Sequence, residues 1–329
     1  MTLTTGTPTD TDRARYEESL TMLSAASVHK HFDPFEDIAW DAPEFAVTPN
    51  DPRWVLQKES DPLGSHPWYQ ALPQEKQIEI GMWRQANVAK VGLQFENILI
   101  RGMMQYVFSL ENGSAEARYC THESIEECNH TLMFQEMVNR IGKDTPGMGP
   151  LMRFVSPFLP LAGSTLPVIF FMGVLAGEEP IDHIQKAVLR ENGVIHPIMK
   201  GVMAIHVAEE ARHISFAHQF LRRRVPAMSK VGRFFASLAM PVIMRILCDV
   251  IVIPPKQFWR EFDIPKQVKK DLFWATPEAR ETLRDYFADV RMLATDSGLM
   301  NPASRLVWKA LKIDGEVSRY RSEPARRAA

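Results

Sequence analysis

Two copies of one five-residue pattern, Glu-Glu-x-x-His, constrain this chain more than anything else in it: Glu126–His130 reads EECNH and Glu209–His213 reads EEARH. On an α-helix three residues turn the chain through roughly 300°, so the second Glu and the His of each copy project within about 60° of one another, one turn apart. Glu127 with His130, and Glu210 with His213, each aim a carboxylate and an imidazole at one point beside a helix. That donor mixture suits first-row metals such as iron or manganese. One such pair is common by chance on a solvated helix face. Two, on separate long helical runs, point to a bundle that closes around metal.

The surrounding pattern is helical. From Pro73 the run QEKQIEIGMWRQANVAKVGLQFENILIRGMMQYVFSL continues for more than thirty residues with few breakers, and the next helix has Ser114 as N-cap and stops at Gly142. After the loop GKDTPGMGP, a third helix is predicted over 165–191 with Asn192-Gly193 as its stop, and a fourth from His196 to Arg224, before Pro226. A fifth, Lys230 to Val252, ends against Pro254 and Pro255; shorter helices are predicted over 265–272, 277–297 and 302–311. No alternating Val/Ile/Thr runs with tight turns occur, so the expected class is all-α. The organisation reads as a single domain: an N-terminal extended arm over 1–70 that begins as a disordered polar lead, a metal-binding four-helix core over 73–225, additional C-terminal helices over 226–315, and a tail over 316–329 whose end RSEPARRAA reads as disordered.

A carboxylate site in a four-helix bundle needs one further Glu from each of the other two helices. Glu96 sits in the otherwise apolar run GLQFENILI, and Glu178 and Glu179 sit in AGEEPI; their spacing to the following motif is nearly the same in both halves. A carboxylate inside so apolar a run is rarely buried without a partner, and two dications near the bundle axis supply one. The second motif is extended upstream to HVAEEARH. His206, Glu210 and His213, spaced four and then three, fall within about 60° of arc on one helix face.

Composition narrows the classes. The hydrophobic fraction of 45% builds a sizeable core, and a net charge of −2 argues against a nucleic-acid partner, which needs concentrated Lys and Arg. Three cysteines without a CxxC argue against a disulfide framework and for a reducing cytoplasm. The N-terminus has no signal-peptide apolar region. The run from Phe234 to Ile253 is long enough to span a membrane, but Arg245 and Asp249 are costly in lipid and pair at i,i+4. A buried or interface helix, at the contact of a homodimer, is the favoured reading; contact with a membrane surface is the lesser one.

Over roughly 81–220 the sequence resembles the diiron oxygenases typified by p-aminobenzoate N-oxygenase, in GMW at 81–83, the lone Glu96, EECNH, AGEEPI and HVAEEARH. The resemblance implies a ferritin-like bundle holding two iron ions through three His and four Glu: Glu96, Glu127, His130, Glu178, His206, Glu210 and His213. It favours Glu178 over Glu179. It also implies O2 as co-substrate, an external electron donor, and oxygen insertion into an amine nitrogen, with manganese as an alternative metal. Two rivals share the scaffold: desaturation or hydroxylation of an acyl chain, and iron or manganese binding without oxygenase activity. Other residues read more plainly. Glu126 and Glu209 are expected to face solvent or hold a neighbouring Arg, with support of a ligand as a further role; His122 and Glu123 are expected to orient a ligand at most, and Cys128 to be a packed residue. The 17 methionines serve packing, and His183 and His218 are structural or exposed.

Overall fold

A computed structural model describes residues 10–58, 60–190 and 194–321, and its described residues contain helices and turns but no strand. The long helices are α1 (Asp10–His29), α2 (Gln74–Val107), α3 (Ala115–Ile141), α4 (Pro167–Arg190), α5 (Pro197–Ala227) and α6 (Lys230–Val252), followed by the shorter α7 (Pro277–Asp285), α8 (Ala288–Asp296) and α9 (Pro302–Ala310). The helix boundaries follow local chemistry. Ser114 Oγ accepts from the Ala117 N–H at the start of α3, and Gly142 closes that helix at φ 67°, a backbone conformation that glycine adopts without strain. His196 caps α5 through Nδ1, with Pro197 in the first turn.

Three expectations change. The arm is not extended throughout, because residues 10–29 form α1. Its buried stripe is Tyr16, Leu20, Ser24 and Ser27, and the two serines on that stripe hide the helical periodicity from a hydrophobicity reading. Pro226 does not end α5, which runs on to Ala227, and the stretch 277–297 is two helices rather than one. The polar lead over 1–9, the Asn192-Gly193 stop and the tail over 322–329 lie outside the described residues.

Helices α2 and α3 pack as one hairpin and α4 and α5 as another; α3 lies against α5 and α2 against α4, which closes a four-helix bundle. Helix α1 covers the α3 side and touches α5, and α6 lies along α4. Two apolar clusters fill the bundle. One contains Tyr106, Phe171, Phe216 and Phe220, and the other Ala89, Met133, Phe134 and Met203. They abut a polar layer at Glu96, His130 and His206, since Phe95 belongs to the first cluster and Phe134 and Met203 to the second.

The rest of the arm, residues 30–73, crosses the bundle in turns. Trp54 is buried and stacks on His196 with ring centroids 4.4 Å apart. Its carbonyl rests against Gly81 of α2, where any side chain would collide with it. Arg140 donates to the Trp40 carbonyl at 2.6 Å, and Trp83 donates to Glu261 at 3.0 Å, so arm and C-terminal region are both tied to the bundle. Helix α6 belongs to a stretch long and apolar enough to cross a membrane. One face, with Met240, Met244 and Cys248, is buried, whereas Val231, Phe235 and Ile246 on the other are 66%, 63% and 54% exposed. The expected burial therefore holds for one face of the single chain. Arg245 does pair with Asp249.

Candidate metal centre

Seven side chains from four helices converge at the polar layer: Glu96 from α2, Glu127 and His130 from α3, Glu178 from α4, and His206, Glu210 and His213 from α5. All are at most 2% exposed. Their donor atoms form overlapping groups, each within 4.8 Å: Glu127 with His130, Glu210 and His213; Glu96 with His130 and His206; and Glu178 with His206 and Glu210. His130 Nδ1 lies 3.1 Å from Glu127 and 3.4 Å from Glu210. His213 Nδ1 lies 2.8 Å from Glu127 and 3.2 Å from Glu210. Each of these two carboxylates thus touches the histidines of both motifs, the arrangement a bridging ligand needs. His206 Nε2 is 3.5 Å from both Glu96 and Glu210. Glu178 turns to this cluster, while Glu179 turns away and accepts from His218 Nε2 at 2.6 Å.

The donors suit metal cations and little else. Glu96 Oε2, Glu178 Oε1, Glu210 Oε2 and His206 Nε2 are buried without a hydrogen-bond partner, each a costly omission if nothing else met it. Burial, with the charges of Glu127 and Glu210, pushes the Glu96 carboxyl well above the usual range; burial, with Glu210 and Glu96, does the same to Glu178. Burial also raises Glu127, but the His213 and His130 imidazoles overcome it and hold that carboxyl well below its ordinary value. Burial lowers His130, yet the Glu127 carboxylate lifts it to about 10. In the metal-free chain, protons on His130 and His213 partly offset the carboxylates. Two dications would replace those protons and ionise Glu96 and Glu178 as well. His206 differs, because burial presses it down to about 4, so it is a neutral imidazole ready to ligate.

Outside this set sits a layer in which the expected partner Arg is found and the alternative of solvent exposure is not. Glu126 and Glu209 do not face solvent; they are 3% and 0% exposed. His213 Nε2–H donates to Glu126 at 2.7 Å, and His130 Nε2–H donates to Glu209 at 2.9 Å. The first Glu of each motif therefore holds the His of the other motif, across the α3–α5 contact. Arg212 joins the two carboxylates, 2.8 Å from Glu126 and 3.4 Å from Glu209. Because a carboxylate only accepts, it fixes the proton on Nε2 and leaves Nδ1 for the metal. Gln185 does the same for His206 with opposite ring orientation, accepting from Nδ1–H at 2.8 Å so that Nε2 faces the cluster. Gln185 was missed, although it lies seven residues after Glu178, two turns along the same face.

The sequence pattern that defines the p-aminobenzoate N-oxygenase AurF family matches residues 13–298. The chain belongs to that family. The AurF proteins are a diiron family, in keeping with the three imidazoles and four carboxylates gathered here. The chain is also 65% identical over 315 residues to the uncharacterized protein Rv0885 of Mycobacterium tuberculosis strain H37Rv, covering 96% of this chain and 92% of the relative. The uncharacterized protein Mb0909 of Mycobacterium bovis matches at the same identity and coverage.

Beside the seven residues lies a chamber bounded by Glu96, Glu178 and His206, with Gln85 and Gln185 on its wall and otherwise apolar groups, among them Val88, Phe95, Phe134, Met203 and Ile251. Gly177 is the residue that lets the Phe95 ring lie flat on α4, since a Cβ there would strike it. The remaining singled-out residues lie elsewhere. Glu123 is fully buried, and burial raises its carboxyl to about 8, but it makes no hydrogen bond to a histidine. His122 lines a shallow surface hollow, and Cys128 is exposed rather than packed. His218 is buried on Glu179, and half-buried His183 faces the ring of Tyr286.

Proposed function

We propose that this chain is a diiron oxygenase that uses O2 to oxidise a small organic substrate, with an amine nitrogen as the atom oxidised. The observation that carries the reading is the juxtaposition of buried, unpartnered donors on Glu96, Glu178 and His206 with a largely apolar chamber. Glu96, Glu127, His130, Glu178, His206, Glu210 and His213 would hold two irons, with Glu127 and Glu210 offering carboxylates beside the histidines of both motifs. When bound, the irons supply electrons to dioxygen and the power to oxidise substrate. The chain's own residues do the rest. Glu126, Glu209 and Gln185 orient the imidazoles, Arg212 balances the two outer carboxylates, and Phe95, Phe134 and Met203 exclude water from the reacting end. The first turnover balances as amine, O2, two electrons and two protons giving hydroxylamine and water, so an external electron donor is part of the proposal.

Acyl-chain hydroxylation or desaturation is a second reading, favoured by the apolar lining of the chamber. Metal analysis of the purified protein, then one turnover of the reduced form with O2 and either an arylamine or an acyl compound, separates them by mass spectrometry of the product. About two irons per chain and an oxygenated amine support the proposal. Manganese in their place, or oxidation of the acyl compound alone, overturns its finer part, and a chain that retains no metal overturns all of it. The proposal also takes the chain as a cytoplasmic homodimer in which the apolar outer face of α6 meets its counterpart. A purified protein that sizes as a monomer would rule that out.

A further inference from the structure

We propose that the arm and the C-terminal helices build a passage for an elongated, apolar substrate, threaded lengthwise so that only one end reaches the metal centre. The proposal rests on the diiron reading for what happens at that inner end. The inner chamber against Glu96, Glu178 and His206 shares Gln85, Val88, Ile181, Gln185, Met203 and Ile251 with a second cavity. That second cavity is roofed by Trp54, Val55 and Leu56 of the arm and bounded by Val252 and Tyr286 of the C-terminal region. It shares Ser60, Asp61, Pro62, Val252 and Tyr286 with a third, which opens to the surface between the arm and residues 271–283. The three hollows are consecutive segments of one route.

Its length follows from α4, which lines it from Gly177 to Val188, eleven residues or about 16 Å at 1.5 Å per residue. That is longer than a single aromatic ring with its amine. Its polarity follows from the walls. Apart from the metal-facing groups, the inner chamber offers only two polar side chains, Gln85 and Gln185, and Gln185 already accepts from His206. A charged group there would lose its hydration without a partner, so a substrate's ionic groups stay outside. At the outer segment the charges are mixed, with Lys58, Asp61, Asp271 and Glu278 all on its walls. The middle segment is mixed, with Arg53 and Gln57 on its wall beside Trp54, Val55 and Leu56, and there Arg84 of α2 donates to Asp61 of the arm at 2.5 Å, pinning the roof to the bundle. The segments outside the four-helix core thereby acquire a role. They leave the buried centre open to a molecule both narrow and long.

The test is isothermal titration of the iron-loaded full-length protein, and separately of the metal-free protein, with a series of 4-alkylanilines from methyl to octyl. A threaded chain gains up to about fourfold in affinity for each methylene buried, until the passage is filled. Ile251→Trp, at the junction of the two inner segments, should flatten that dependence while leaving iron content unchanged. Gln85→Trp blocks the same junction from α2, should Ile251→Trp fail to fold. A series with no gain in affinity beyond aniline itself overturns the passage, even if iron binding and aniline oxidation persist. A steep series in a protein that takes up no iron supports the passage and sinks the diiron reading instead. Junction variants that fold and keep the full chain-length dependence also overturn the passage.

Discussion

Replacing Glu126 by glutamine tests whether the first residue of each motif serves the opposite histidine. The amide is nearly isosteric, so Glu126→Gln keeps an oxygen that can accept from His213 Nε2, at the 2.7 Å now seen, but removes its charge. It also turns an NH2 toward Arg212, which at present donates to the carboxylate at 2.8 Å, so donor faces donor. A hydrogen bond to a charged group contributes about 1.5–3 kcal/mol, and most of that is lost at Arg212. Arg212 then keeps only Glu209, at 3.4 Å. For the metal, a weakened partner on a ligating imidazole lowers affinity about 10–100-fold, or about 1.4–2.7 kcal/mol. Glu209→Gln should do the same through His130 Nε2, 2.9 Å away. The assay is iron competition against a chelator of known affinity, with thermal unfolding of the metal-free protein alongside. Cys128→Ser, on the exposed side of the same helix turn, is the control and should change neither. Wild-type iron affinity in both glutamine variants would refute the cross-motif role and return these residues to simple ion pairing with Arg212.

Three further outcomes follow from the same geometry. His206→Ala should leave the helix content seen by circular dichroism intact, because six other converging side chains remain, yet lower iron content or alter the iron absorption spectrum; unchanged iron and spectrum would demote His206 to a packed residue. Glu178→Gln should weaken iron binding by more than tenfold, whereas Glu179→Gln, which faces His218, should spare it and cost stability instead; chelator competition that ranks them the other way would reverse the assignment. His196 is held below its ordinary pKa, chiefly by burial against Trp54. A depressed imidazole contributes stability that is complete above the unfolded pKa of about 6.5 and lost as pH falls below it, because the unfolded chain binds the proton first. His196→Asn, which retains the helix cap, should therefore remove part of the wild-type loss of thermal stability as pH falls below about 6.5; identical pH slopes would dismiss that contribution.

Much of what depends on one helix was legible in the sequence. The 3.6-residue period alone puts Glu127 with His130, and His206 with Glu210 and His213, on common faces, and Ser114 and Gly142 mark the ends of α3 by their own backbone chemistry. An all-α bundle with a carboxylate and imidazole layer follows from those local rules. What the sequence could not decide are the choices made between helices. Glu178 and Glu179 are neighbours about 100° apart on α4, and only the rotation of α4 against α2 and α5 turns one to the centre and the other to His218. Glu126 and Glu209 look solvent-facing when one helix is drawn alone, being one step off the metal face. They are buried because α3 and α5 touch along that line, with α1 packed over both. Helix α1 itself was hidden by Ser24 and Ser27 on its buried stripe, and the passage is invisible in any segment, since its walls come from the arm, the four bundle helices, α6 and the C-terminal region brought together only by packing. Periodicity is a property of a few adjacent turns, whereas burial and access are properties of the surfaces that those turns find.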